Sequence, residues 1–238
     1  MPSMEILCKP VAHIRTDFPE KFGIPRQSGL VPSLRGRIIF EPEYRSMDAI
    51  RGIEEYSRLW LIWGFSQAHQ KNQSLTVAPP RLGGKERRGV FATRSPFRPN
   101  KLGLSCVRLE AIVSDGQGAP MLEVSGIDLL DGTPIYDIKP YLPYADAFPE
   151  ESGSFGQEHH QDKILVEFSP KLLERIEPAD RQSILDVLAQ DPRAAYNKKP
   201  DYVYGMRFGK YDIRFVVGET GLVVQDVLVV QGKFEKIK

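Results

Sequence analysis

Cysteine is scarce here: Cys8 and Cys106 are the two in 238 residues. Two thiols make no disulfide framework, so the expected setting is a reducing cytoplasm. Long apolar runs are missing too. The longest, "LWLIWGF" at 59–65, is far shorter than the about 20 residues a membrane-spanning helix requires. The opening "MPSMEILCKP" lacks the apolar core of a secretory signal. Net charge is nearly absent at +1, which by itself neither invites nor excludes nucleic acid.

The familiar signatures of catalysis are missing as well. "GQGAPM" (116–121) begins like a dinucleotide fingerprint, but Met121 stands where the third glycine belongs, and the stretch lies between strands as a turn. "GMRFGKY" (205–211) is one residue short of a phosphate-binding loop and has no Ser or Thr after Lys210. His159 and His160 are adjacent, yet no Cys, His or Asp set at ligand spacing accompanies them, so no metal site is expected. His13 and His69 read as ordinary strand or loop histidines. No Gly-x-Ser-x-Gly elbow occurs and neither cysteine has a neighbouring histidine, which leaves hydrolase chemistry without support.

The chain does have material for a core, with 41% hydrophobic and 26% charged residues. Strands are expected at the opening "MEILCKPVAHIR", in "RGRIIF" (35–40), and at 57–65, 75–78, 88–93, 102–113 and 120–130, with a short helix after Pro42. The clearest pair alternates Val107, Leu109, Ala111 and Val113, turns at "DGQG", and returns through Leu122 and Val124. Many strands with irregular loops and little helix point to a mainly β fold. A barrel is preferred because it leaves no open edge. Between the first two strands, "TDFPEKFGIPRQSGLVPS" carries Phe18, Phe22, Ile24 and Leu30, the marks of a packed loop rather than a loose one.

Residues 1–148 are therefore read as an N-terminal β-barrel, distinct from a Rossmann sheet, and 149–162 as an acidic linker. Residues 163–238 read as a small α+β domain with a helix starting at Ser169-Pro170. Charge is unevenly spread. Seven Lys/Arg face one Glu between Arg81 and Lys101. Six face two Asp between Arg193 and Arg214, and five acids with no cation fill Leu142 to Asp162. Two basic segments separated by an acidic one are expected to give two anion-facing surfaces.

The most unusual passage is "GVFATRSPFRPNKLGLS" (89–105). Two prolines and the cations Arg94, Arg98 and Lys101 separate two apolar runs, where a plain hairpin needs only a short turn. This passage resembles the signature of the TrmO (TsaA-like) family of S-adenosylmethionine-dependent tRNA methyltransferases. The resemblance continues through "EKFGIPRQSGLV" (20–31), "IRGIEEYSRLWLIWGF" (50–65), "PPRLGG" (79–84), "DLLDGTPIYDIKPYLPYAD" (128–146) and "LAQDPRAAY" (188–196). In one departure, Ser66 stands where many relatives carry His, which leaves Gln67 as the polar contact at that turn.

The resemblance implies methylation of N6 of threonylcarbamoyladenosine beside the anticodon. It also implies a donor held on a β-barrel, and a homodimer. It places donor contacts at Ser28, Gly29 and Leu30, at Phe65, Ser66 and Gln67, at Arg94 and Leu104, and at Ser125, Gly126, Ile127 and Asp128. Chemistry agrees in outline. Glycine permits close backbone approach, arginine clamps a carboxylate with two bonds, and Asp128 can accept from ribose hydroxyls or an adenine amine. The acceptor nitrogen is a poor nucleophile and benefits from a proton acceptor. Candidates are Asp137, Tyr141, Asn100 and Asp128, with Asn100 and Tyr141 orienting the base while a carboxylate takes the proton. Arg98, Lys101 and Lys139 are expected to meet the substrate. The C-terminal cations Arg193, Lys198, Lys199, Arg207, Lys210 and Arg214 are expected to grip the tRNA backbone. Two other readings share the same residues: a non-catalytic RNA-binding module, and a methyltransferase for a small amide-bearing acceptor.

Overall fold

Short stretches of alternating apolar and polar residues pair into a barrel. The computed structural model describes residues 6–68, 74–79, 86–151, 163–193, 199 and 202–230. Its first eight strands are β1 (Ala12–Thr16), β2 (Arg35–Phe40), β3 (Arg58–Gly64), β4 (Thr76–Val77), β5 (Arg88–Gly89), β6 (Leu102–Ser114), β7 (Pro120–Ser125) and β8 (Thr133–Pro140). Six of them close as β1-β2-β7-β6-β3-β8, while β4 and β5 form a small separate ribbon. Every pairing in the barrel is antiparallel. Inward positions carry Ile14, Ile38, Leu59, Leu61, Val107, Leu122, Val124 and Ile135, all fully buried, so side chains fill the barrel.

Four local expectations are corrected. The opening strand is confined to β1, with residues 6–11 outside it. The run at 88–93 stops at Gly89, and Val90–Ala92 makes a tight 3-10 turn. The run at 120–130 stops at Ser125, because Gly126 adopts φ +71°, a left-handed conformation that ends a strand. The helix expected after Pro42 is three separate 3-10 turns, at Pro42–Tyr44, Met47–Ile50 and Ile53–Glu55. The sixth barrel strand, β8, was not anticipated. It pairs with both β1 and β3 and closes the barrel.

Beyond the barrel come a helical turn α1 (Pro143–Asp146), then β9 (Val166–Glu167), α2 (Pro170–Leu173) and α3 (Pro178–Ala189). β10 (Tyr204–Phe208), β11 (Tyr211–Val217) and β12 (Leu222–Val229) complete the chain order. Ser169 caps α2, its hydroxyl accepting from the Leu172 N–H at 3.4 Å, with Pro170 in the first turn. The four strands lie in the order β10-β11-β12-β9, and α3 buries Ile184, Val187 and Leu188. Residues 152–162, most of the expected linker, lie outside the described residues.

The long connection between β1 and β2 joins the two units. Phe18 is fully buried and meets Phe208 edge-on at 5.5 Å. Phe22 stacks near Tyr204 and Phe215, with centroids 6.3 and 6.4 Å away. The Ser183 hydroxyl donates to the Ser33 carbonyl at 3.0 Å, and the Ser33 hydroxyl donates to Asp186 at 2.6 Å. The Gly209 N–H donates to the Asp17 carbonyl at 2.7 Å. Barrel and sheet thus share one continuous apolar core, and the packed-loop expectation for Phe18, Phe22, Ile24 and Leu30 holds.

Candidate active site at the mouth of the barrel

Four loops and the strand ends beside them surround a cleft of about 570 Å³ at one end of the barrel, within the range of pockets that take small molecules and cofactors. Its walls come from the β1–β2 connection at Lys21–Gln27, the end of β3 and the turn after it at Trp63–Ala68, and the arginine loop. The start of β6 and the loop before β8 complete it. Of the residues assigned to the donor, Phe65, Ser66, Gln67, Arg94, Leu104 and Asp128 line this cleft, and Arg98 joins them.

The arginine loop is held at both ends. An Arg94 Nη donates to Gln27 Oε1 at 2.5 Å, and Arg98 folds back onto the Thr93 carbonyl at 3.0 Å. Two lysines fix the turn opposite: Lys21 donates to the Gln67 carbonyl at 2.6 Å and Lys101 to the Ala68 carbonyl at 2.8 Å. Phe65 packs edge-on against Trp63, centroids 4.4 Å apart. Lysines that cap carbonyls in this way hold the polar turn still beside an apolar wall.

Asp128 is the one carboxylate among the described lining residues, beside the cations Lys21, Arg26, Arg94 and Arg98. Its Oδ1 accepts from the Ser105 hydroxyl at 2.6 Å, and Ser105 accepts from Trp63 Nε1 at 2.9 Å. Burial pushes the Asp128 carboxyl up to about 6. Ser105, two backbone N–H groups and the charge of Arg94 pull the other way. The residue keeps some surface on the cleft, but its carboxyl group is surrounded closely enough for loss of water to dominate.

The other assigned donor residues sit beside the cleft rather than in its wall. Ser28 Oγ accepts from the Cys106 N–H at 2.9 Å, tying the connection to β6. Gly29, at φ +82°, donates its N–H to the Gly126 carbonyl at 2.8 Å. Leu30 packs on the core, Ile127 is buried, and the buried Ser125 hydroxyl donates to Glu110. These segments support the loop that carries Asp128.

Asn100, Asp137, Lys139 and Tyr141 do not line the cleft. Asn100 is exposed on the arginine loop, its carbonyl accepting from the Leu102 N–H. Asp137 pairs in register with Ile62, on the outward side of the barrel, and its carboxylate meets Lys139 at 3.1 Å. Tyr141 lies against Trp60 with ring centroids 5.9 Å apart. Residues that sequence reasoning passed over include Gln27, Trp63 and Ser105. Only Trp63 and Ser105 carried a signal, as bulky and polar side chains at inward positions of otherwise aliphatic strands.

Three of the six cations expected to form a C-terminal basic patch meet carboxylates. Arg193 is 9% exposed and meets Asp191 at 2.8 Å, Arg214 meets Asp212 at 2.6 Å, and Lys210 pairs with Glu177. Arg193 lies 5.9 Å above the Tyr204 ring and Lys199 5.5 Å above Tyr202. Arg207 faces Asp212 in register, and Lys198 lies outside the described residues. Among the described residues no group of three or more His, Cys, Asp or Glu is arranged to hold a metal ion.

Comparison with known proteins identifies relatives along nearly the whole chain. The tRNA-methyltransferase O N-terminal domain matches residues 13–147, and the TrmO C-terminal domain matches residues 161–230. The tRNA (adenine(37)-N6)-methyltransferase of Escherichia coli is 41% identical over 219 residues, covering 89% of this chain and 93% of that protein. A Pyrococcus abyssi protein named "Probable S-adenosyl-L-methionine-binding protein" is 38% identical over 59% of this chain and 71% of its own length. A crystal structure of TrmO from Pseudomonas aeruginosa has a TM-score of 0.77 at 36% identity, covering 95% of this chain and 98% of that one. With both halves matched and a relative so similar along nearly its whole length, the chain belongs to the tRNA-methyltransferase O family.

Proposed function

We propose that this protein transfers a methyl group from S-adenosylmethionine to N6 of threonylcarbamoyladenosine beside the anticodon of tRNA, acting in the cytoplasm as a homodimer. The cleft at the barrel mouth carries the reading. A cation on one wall (Arg94) and a nearly enclosed carboxylate (Asp128) on another flank an apolar surface of Trp63, Phe65 and Leu104. That set suits a donor with a carboxylate, hydrogen-bonding groups and a flat base. The E. coli relative's name supplies the acceptor, adenine 37 of tRNA. The name of the P. abyssi relative supplies the donor.

When bound, S-adenosylmethionine supplies a sulfonium-activated methyl group. The residues of this chain provide position, the main source of rate in a displacement of this kind. Arg94 gives up Gln27 and clamps the donor carboxylate. Asp128 accepts a hydrogen bond from the donor. Phe65, Ser66, Gln67 and Leu104 shape the wall, while Ser28–Leu30 and Ser125–Ile127 hold the loops behind it. Arg98 and Lys101 face the negative threonyl group or tRNA phosphates.

Asn100, Asp137, Lys139 and Tyr141 remain the acceptor-side set. Asn100 and Tyr141 orient the base, and Asp137 takes the N6 proton. They lie outside the cleft of their own chain, so a second copy brings them to it. The exposed Tyr144 (85%) and Phe148 (66%), which follow Tyr141 in the chain, supply apolar surface for that copy. The C-terminal unit, with Lys198, Lys199 and Arg207, contacts the tRNA backbone.

The test uses purified protein, S-adenosylmethionine and bulk tRNA from cells lacking the gene, followed by digestion and mass spectrometry of nucleosides. A gain of one methyl on threonylcarbamoyladenosine, abolished in Arg94→Ala, is the expected result. Donor binding without that gain would discard the acceptor assignment. Methylation of the free nucleoside as fast as of tRNA would favour a small-molecule acceptor.

A further inference from the structure

Trp63, Ser105 and Asp128 form a chain of hydrogen bonds whose direction follows from their chemistry. An indole N–H can only donate, so Ser105 Oγ must accept from Trp63 at 2.9 Å. That leaves the single Ser105 O–H for Asp128 Oδ1, 2.6 Å away, in the range of a bond to a charged acceptor. Ser105 is fully buried and Trp63 is 8% exposed, so water does not compete readily for either group.

The register of the barrel creates this chain. Leu61 pairs with Ser105 and Trp63 with Gly103, which makes Trp63 and Ser105 diagonal neighbours on the inner face. The indole lies across Gly103 so closely that a Cβ there would sit 2.4 Å from ring atoms. The missing side chain at residue 103 lets the indole reach its serine. Neither Trp63 nor Ser105 offers the donor a charge, and Ser105 has no free proton left. Their shared output is the state of one carboxylate in the cleft wall.

We propose that Trp63 and Ser105 are positioning residues for the methyl donor: through two successive hydrogen bonds they hold the Asp128 carboxylate ionised, in a single orientation, as the acceptor that the bound donor finds in the cleft. This rests on the donor-binding reading of the cleft given above. The other charged groups lining the cleft are Lys21, Arg26, Arg94 and Arg98, all cations, with no second carboxylate or histidine among the described lining residues. Burial drives Asp128 toward its neutral form, with a midpoint at about 6. The Ser105 bond opposes that drive, so removing it moves the midpoint upward and leaves less acceptor at neutral pH.

The test has two independent arms on the full chain. Calorimetric titration with S-adenosylmethionine across the acid-to-neutral range reads donor affinity. Carbon-13 NMR of labelled aspartate, assigned with Asp128→Asn, reads the Asp128 midpoint without donor. Ser105→Ala is expected to weaken donor binding by roughly tenfold or more at neutral pH. It should also shift upward both the NMR midpoint and the pH at which donor binding is half lost. Trp63→Phe keeps the ring and removes the donor, giving a smaller shift in the same direction. Ser105→Thr restores the hydroxyl and returns the midpoint. An unmoved NMR midpoint in Ser105→Ala would overturn the relay. A moved midpoint with unchanged donor affinity would overturn the link to the donor. If the wild type bound no donor at all, the proposal would fall together with the donor reading of the cleft, and the NMR arm would still report on the hydrogen-bond chain.

Discussion

The Arg94 guanidinium donates to the Gln27 side-chain oxygen at 2.5 Å, joining two loops far apart in sequence across the mouth of the barrel. A carboxamide oxygen is a weaker partner than a carboxylate, so an arginine so placed is oriented without being neutralised. Arg94→Ala is expected to raise the donor Kd by about 10–100-fold, the worth of a charge-assisted pair. Gln27→Ala loses only the orientation and is expected to cost several-fold, with little effect on turnover at saturating donor. Equal losses in the two variants would mean that Gln27 itself contacts the donor.

Gly103 faces the Trp63 indole with no room for a side chain. Gly103→Ala must displace the indole or the strand, an overpacking cost of about 1–3 kcal/mol. At roughly 2–4 °C per kcal/mol in a chain of this size, the melting temperature should fall by several degrees. Donor affinity should fall with it, because the displaced indole releases Ser105. A circular-dichroism melt and a donor titration on the same sample check both.

Regular alternation made much of the barrel legible: β6 and β7 follow directly from Val107, Leu109, Leu122 and Val124. β8 escaped notice because "TPIYDIKP" has proline near both ends and breaks its alternation at a bulge, where Trp63 pairs with Ile135 and Ile62 with Asp137, passing over Tyr136. In the site, Arg94 and Asp128 were found through the motifs around them. Ser105 and Gln27 were not, since their importance comes from partners 23 and 67 residues away. The local charge count over the C-terminal basic segment also leaves out partners just outside it. Counting charges within 193–214 omits Glu177 and Asp191, which folding brings to Lys210 and Arg193.

Those pairings give the surface cations different weights. Lys210→Ala and Arg214→Ala remove charges already matched by carboxylates, and tRNA affinity should change less than twofold for either. Among the described residues, Arg98 and Lys101 bond to backbone carbonyls rather than to carboxylates, so Arg98→Ala and Lys101→Ala should each lower affinity and reduce the salt dependence of binding by about one unit of slope. Binding measured at several salt concentrations separates the two groups. A uniform effect of all four would refute the distinction.

Phe18 is the fully buried aromatic that carries the β1–β2 connection onto Phe208 of the C-terminal sheet. Phe18→Ala should cost about 3–5 kcal/mol. Because one core spans both units, the wild type should melt in a single transition, and the variant should melt lower or split into two. Calorimetry distinguishes these outcomes from a local loss confined to the barrel.

Asp128 should make the protein less stable as it becomes functional. Its carboxyl titrates at about 6 in the fold against 3.8 in an exposed chain, because burial disfavours the charge. Between those values the native state binds more protons than the unfolded one, so stability falls as pH rises through that window. Above it the ionised carboxylate costs on the order of 3 kcal/mol relative to acid conditions. Asp128→Asn removes the buried charge and keeps an oxygen for Ser105. It should therefore melt higher than the wild type at neutral pH, with the difference shrinking toward zero near the acid end of the window. The same variant should bind the donor poorly throughout, since an amide is a weaker acceptor than a carboxylate. A variant less stable than the wild type at neutral pH would show that the hydrogen bonds to Asp128 outweigh its burial.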